Sequence, residues 1–139
     1  MHFGVESAQL NDIYGHAVGD AALRKFSGIA QLEIRQGDYF ARYGGEEFCI
    51  LLPDTPAEMA QVIAERLRLQ YSKLVVIEID QKPVYSTLSI GIADSTRSGA
   101  TFETLVNDAD KALYQAKNTG RNRVCLAHSL DMSELSHQN

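Results

Sequence analysis

Tryptophan is absent from this chain, and proline and cysteine are scarce, with three and two copies in 139 residues. So few cysteines exclude a disulfide-built scaffold. Cys49 and Cys125 lie inside apolar stretches far apart in sequence, and they read as reduced core residues of a reducing compartment. No apolar run approaches the roughly 18 residues of a membrane span. No secretory leader is visible either, so a cytoplasmic protein without a membrane partner is expected. Excess positive charge is also missing: 13 Lys and Arg against 18 Asp and Glu leave a net charge of −5. That balance argues against nucleic acid as the main partner while leaving room for a local basic pocket. A Walker loop, zinc-ligand spacing and a Ser/Cys–His nucleophile signature are all lacking.

What remains has the composition of one soluble globular domain, 45% hydrophobic and 22% charged. The domain is expected over 1–128, with a flexible polar tail over 129–139. Leu23, Phe26, Ala30 and Ile34 recur at helical spacing and predict a helix over about 20–34. Thr55, Pro56 and Glu58 form a capping-box pattern ahead of a helix whose apolar stripe is Met59, Val62, Ile63 and Leu67. A third helix is predicted over about 102–118, with Phe102, Leu105, Ala109, Ala112, Leu113 and Ala116 inward and Gly120 ending it. "DYFAR" and "EEFCILLP" flank Tyr43-Gly44-Gly45 as a hairpin, while "LVVIEI", "VYSTLSIGIA" and "NRVCLA" carry further strand signals. Helices and strands alternate without a regular βαβ rhythm. The expectation is an α+β fold with a largely antiparallel sheet flanked by helices.

Several polar groups invite two readings each. Glu46 and Glu47 are either solvated turn carboxylates or ligands for Mg²⁺, which binds through one or two carboxylates plus substrate phosphates. Gly44 and Gly45 beside them would let a phosphate approach the backbone. Asn11 and Asp20 stand before the first predicted helix, as turn and N-cap residues or as hydrogen-bonding partners of a guanine edge. Lys117 and Arg121, one helical turn apart, are either dipole-matched cations or a phosphate clamp. Arg35-Gln36-Gly37-Asp38 can be a plain turn, and Arg66 an exposed helix cation.

Taken in order, "LNDIYGHAVGD", "RYGGEEF", "LSIGIA" and "DADKALYQAKNTGRN" resemble the GGDEF domain of the diguanylate cyclase family, in its GGEEF variant, over about residues 10–125. The resemblance implies a nucleotidyl-cyclase-like fold with a central, mainly antiparallel sheet wrapped by helices. It implies two facing domains that each hold one GTP and condense the pair to cyclic di-GMP, and hence a homo-oligomer. Matched residue by residue, Asn11 and Asp20 correspond to guanine contacts, and Gly44 and Gly45 to the phosphate-approach glycines. Glu46 corresponds to a Mg²⁺ ligand, and Glu47 to the neighbouring catalytic carboxylate. Lys117 and Arg121 correspond to contacts with the terminal phosphates. Arg35 and Asp38 match the "RxxD" inhibitory site for cyclic di-GMP, with Arg66 as its secondary arginine.

The pattern breaks at the N-terminal side. In "FGVESAQLND", Phe3 stands where the family's first metal-binding aspartate belongs and Val5 where its second aspartate does. Ser7 and Ala8 replace the usual Phe-Lys, and Glu6 is the only early carboxylate, at a spacing that does not match. Loss of a metal carboxylate costs on the order of 10²–10⁴ in rate. Impaired catalysis with surviving binding of cyclic di-GMP or GTP is therefore expected, with an active or weakly active cyclase, water or Glu6 replacing the missing ligand, as the alternative. A non-binding assembly module is the third reading. The first strand also reads as cut short, leaving a slot in the sheet to be filled by Met1–Val5, by an exchanged strand or by a partner chain.

Overall fold

The computed structural model describes residues 1–6, 8–95 and 101–127. The tail over 129–139 and Ser7 lie outside the described residues. Strand β1 spans His2–Val5, β2 Tyr39–Arg42, β3 Glu47–Leu51, β6 Leu88–Ile92 and β7 Arg123–Leu126. They form one sheet in the order β2-β3-β1-β6-β7. Every pairing is antiparallel except β6–β7. That parallel pair requires a crossover, supplied by helix α4 (Phe102–Asn118). Two short strands, β4 (Ile77–Ile79) and β5 (Lys82–Val84), form a separate ribbon. Its turn residues Asp80 and Gln81 both have positive φ, which suits the right-handed strand twist of a tight hairpin.

Alternation along β1 sorts the core into two layers. Phe3 lies opposite Phe48 on one side and Ile90 on the other. It faces helix α2 (His16–Glu33), where its ring centroid is 5.3 Å from that of Phe26. Phe26 also lies 5.0 Å from Phe48, 6.4 Å from Phe40 and 5.9 Å, edge-on, from Tyr71 of helix α3 (Ala57–Ser72). The Tyr71 hydroxyl donates to the Ala22 carbonyl at 2.8 Å, tying α3 to α2. Full burial of each such ring contributes roughly 1.5–3 kcal/mol. On the opposite face, a Cβ at Gly91 would run into the backbone of Ala109 and Leu113, so α4 packs directly on the sheet. All five residues of β6 are buried, as a strand covered on both faces requires.

The structure agrees with the α+β expectation and corrects several local ones. A helix not foreseen, α1 (Ala8–Tyr14), contains Asn11, and α2 begins at His16 rather than near residue 20. Gly15, at positive φ, allows the break between them. The capping box does not form: Pro56 is the N-cap without a side-chain hydrogen bond. Instead the Thr55 hydroxyl donates to the Pro53 carbonyl at 3.1 Å and accepts from Arg35 at 2.9 Å. The stripe of α3 is also rotated. Met59 and Val62 are exposed, whereas Ala60, Ala64, Leu67 and Tyr71 face the core. Phe102, expected inward, is 66% exposed at the start of α4. The run "VYSTLSIGIA" divides into β5 and β6 rather than forming one strand. Finally, Met1–Val5 fills the central slot: β1 pairs with both β3 and β6, and Met1 accepts from the Ile50 amide at 2.8 Å. The strand-exchange argument for an oligomer therefore falls away.

Candidate functional site

The β2–β3 hairpin places its turn at the end of the sheet where β1 finishes. The Val5 amide donates to the Glu46 carbonyl at 3.0 Å, and the Tyr43 amide to the Glu47 carbonyl at 2.7 Å. Gly44 adopts φ 153°, a conformation that favours glycine. Added Cβ atoms at Gly44 and Gly45 would meet nothing within 4 Å. Internal packing therefore does not demand these two glycines, and the space beside them is open. The turn is braced from below: Arg42 Nε donates to the Gly44 and Gly45 carbonyls at 3.1 and 3.2 Å, with a further bond from Nη2 to Gly45.

Two cations reach this tip from the far end of α4. Lys117 Nζ lies 3.2 Å from Glu47 Oε2, both side chains being partly buried. Gly4 makes room for it, since a Cβ there would stand 2.7 Å from Lys117 Cε. Beyond the helix, Gly120 takes φ 128° and the Arg121 amide donates back to the Ala116 carbonyl at 2.9 Å. This is the helix-ending motif that the glycine predicted. It turns Arg121 toward Glu6, with which it forms an ion pair. Glu6 is 7% exposed and its other carboxylate oxygen accepts from Ser89 Oγ at 2.5 Å.

Asn11 and Asp20 are brought together by the packing of α1 on α2. Gly19 lies so close to the Asn11 side chain that any Cβ would overlap its carbonyl oxygen. That oxygen is buried and lacks a hydrogen-bond partner, while Asp20 next to Gly19 is exposed. A buried unsatisfied oxygen costs about 1–3 kcal/mol, so a donor from a ligand would relieve it. Asp20 is not an N-cap, because it lies inside α2.

Arg35 and Asp38 sit at the other end of β2, before Tyr39. The Asp38 carboxylate, 4% exposed, accepts from the Arg35 amide at 2.8 Å and lies 3.5 Å from Arg35 Nε. The Arg35 side chain itself is 64% exposed. Nearby, Arg66 of α3 grips Glu33 through two bonds of 3.2 and 2.7 Å. Arg66 is thus tied to the end of α2, two residues before Arg35. Asp38 chiefly shapes the turn there, and Arg35 presents the free face. A groove of about 900 Å³ opens at this opposite end of the sheet, lined by Leu52, Pro53, Ile92, Phe102 and Leu105, and it contains none of the predicted site residues.

The donor set for a divalent cation is small. Among the described residues no group of three or more His, Cys, Asp or Glu converges. Phe3, which the sequence resemblance sets against a metal aspartate, is fully buried against Phe26. Glu6 is engaged by Arg121 and Ser89. Glu46 and Glu47 are half-buried and remain the carboxylates at the tip. Glu47 already meets Lys117, so Glu46 with phosphate oxygens would hold Mg²⁺, which when bound would offset phosphate charge.

Sequence reasoning missed three contributors: Gly4, Arg42 and the pairing of Glu6. Alternation would have found Glu6. With Phe3 and Val5 facing the core, residues 4 and 6 must point to the α4 side.

The family model for the diguanylate cyclase GGDEF domain matches residues 8–123. Diguanylate cyclase A of Treponema denticola is 41% identical over 118 residues, covering 85% of this chain and 32% of the relative. Response regulator PleD of Caulobacter vibrioides is 39% identical over 117 residues, covering 84% of this chain and 26% of its own. The GGDEF domain of DgcB from Caulobacter crescentus, solved with c-di-GMP, superposes with a TM-score of 0.83 at 28% identity, covering 91% of this chain and 75% of that one. The active GGEEF domain of a diguanylate cyclase from Vibrio cholerae gives 0.82 at 29% identity, covering 91% and 80%. This chain belongs to the GGDEF family of diguanylate cyclase domains, the family of cyclic di-GMP signalling. It spans about a quarter to a third of the length of these curated relatives.

Proposed function

We propose that this domain binds guanine nucleotides, GTP at the hairpin tip and cyclic di-GMP at the Arg35 corner, with cyclase turnover impaired. One observation carries the impairment: Phe3 is fully buried in an aromatic cluster at the position of the family's metal aspartate. Glu6, the nearest early carboxylate, is held by Arg121 and Ser89 and does not substitute. At the tip, Asn11 and Asp20 would take the guanine edge, Gly44 and Gly45 would admit the phosphates, and Lys117 and Arg121 would meet the terminal ones. Glu46 would hold Mg²⁺, and Glu47 would be the carboxylate beside the reacting groups. At the corner, the exposed Arg35 guanidinium pairs with phosphate or stacks on guanine. Arg66, paired with Glu33 two residues before Arg35, would be the secondary arginine, and Asp38 fixes the turn. Turnover would require a homodimer with two tips facing.

Incubation with GTP and Mg²⁺, followed by chromatography, tests the reading. The expected outcome is negligible cyclic di-GMP beside measurable GTP binding by calorimetry. Turnover comparable to an intact family member would overturn it in favour of a working cyclase.

A further inference from the structure

We propose that Glu6 is a positioning residue, a buried carboxylate that acts through Arg121 to present a fixed guanidinium to the terminal phosphates of a nucleotide. The proposal rests on the reading of Arg121 given above and adds a residue that the motif match leaves unassigned.

Glu6 is held at four points. Its amide donates to the Thr87 carbonyl at 3.1 Å and its carbonyl accepts from Ser86 Oγ at 3.2 Å. One carboxylate oxygen accepts from Ser89 Oγ at 2.5 Å and the other from Arg121 Nη1. At 7% exposure it cannot swing into solvent, and a buried carboxylate is tolerable only when paired and hydrogen-bonded. Its location follows from the alternation of β1, which sends Phe3 and Val5 to the core and residue 6 toward α4.

Arg121 is fixed at both ends. Its backbone is locked by the bond to Ala116, and its carbonyl accepts from Arg123 Nε at 3.1 Å. Its neighbour Asn122 accepts from Arg68 Nη1 at 2.9 Å. The guanidinium then rests on Glu6 while the side chain stays 45% exposed. A guanidinium carries five donors, and Glu6 engages one edge of it. The remaining edge is open to a bidentate phosphate, so a ligand need not displace Glu6. An arginine has roughly 2 kcal/mol of rotamer entropy. Here much of that ordering is completed on folding, before any phosphate arrives. Lys117 differs: its partner Glu47 sits on the hairpin and is itself 31% exposed.

The test compares GTP and GMP by calorimetry, with Mg²⁺, in the unmodified chain, Glu6→Gln, Arg121→Ala and the double variant. Glu6→Gln keeps the shape and the Ser89 contact but removes the charge that holds the guanidinium. GTP affinity should fall about tenfold, the range of one charge-assisted bond. GMP affinity should stay within about twofold, and Glu6→Gln should add nothing in the Arg121→Ala background. Ser89→Ala, which leaves the charge but frees the carboxylate, should give a smaller loss, about two- to threefold. Unchanged or tighter GTP binding by Glu6→Gln would overturn the proposal, as would an equal loss for GMP, which marks a merely structural role. Failure of the underlying reading is separate: the unmodified chain would then bind GTP no better than GMP. In that case the ¹⁵N resonances of the Arg121 Nη groups decide, because Nη1 is the atom on Glu6. Slow exchange lost in Glu6→Gln supports positioning, and an identical signal in both proteins overturns it.

Discussion

The hairpin has two ends, and they are built by opposite means. At its tip, the ion pairs join residues 70 and 115 positions apart, Glu47 with Lys117 and Glu6 with Arg121, around partly or fully buried carboxylates. At its base, Arg35 and Asp38 are three residues apart, and Arg35 is largely in solvent. The tip exists only when β1, β6 and α4 are all in place. The corner needs little more than the end of α2, the turn and α3. The departures from the family pattern expected from the sequence lie in β1 and just after it, beside the tip and away from the corner. Under the proposed function, binding at the corner would be separate from chemistry at the tip.

The hardest blow to this comparison is aimed at β1. Phe3→Asp restores the family's residue type but inserts a carboxylate between Phe26 and Phe48. We expect a loss of about 3–5 kcal/mol in chemical denaturation, the cost of removing a buried phenylalanine, before any charge penalty. A folded, unperturbed and active variant would show that the tip is less dependent on its aromatic floor than the packing implies.

A second experiment uses pH to loosen the scaffold of the corner. Burial pushes the Tyr71 phenol up from 10.0 to about 12. The native state therefore keeps this proton where the unfolded chain has released it. Stability from this group is complete below pH 10 and declines as pH rises toward 12, by roughly 1.4 kcal/mol per pH unit. Denaturant midpoints between pH 9 and 11.5 should show the decline, and Tyr71→Phe should flatten it. An unaltered slope in Tyr71→Phe would mean that other groups govern alkaline stability.

The smallest effect sharpens the contrast directly. Arg35→Ala should weaken cyclic di-GMP binding at least tenfold by calorimetry, about 1.4 kcal/mol or more, while leaving GTP binding at the tip unchanged. Equal losses for both ligands would show that the two ends are one site.

Much of this was legible in the sequence because local rules carried it. The hairpin, α4 with its terminating Gly120 and the grouping of Arg35 with Asp38 follow from short-range spacing. Where tertiary packing decides, the reading failed. The stripe of α3 was set by which face meets Phe26 and β6, so Tyr71 is inward while Met59 and Val62 are not. Thr55 lost its capping role because Arg35, twenty residues away, claims its hydroxyl. Helix α1 was hidden because "SAQLNDIY" has too few apolar positions to display a period. The partners of Lys117 and Arg121 could not be read at all, since no local rule links residue 121 to residue 6.

Strand β1 also imposes a timetable. Its partners lie far downstream: Phe3 pairs with Phe48 and with Ile90, 45 and 87 residues later. At a synthesis rate of about 5–20 residues per second, the second partner emerges roughly 4–17 s after β1 itself. Until then β1 can pair only with β3, and its long-range pairing with β6 makes closure of the sheet a late and slow step. The centre of the sheet is the part of the molecule that must wait the longest.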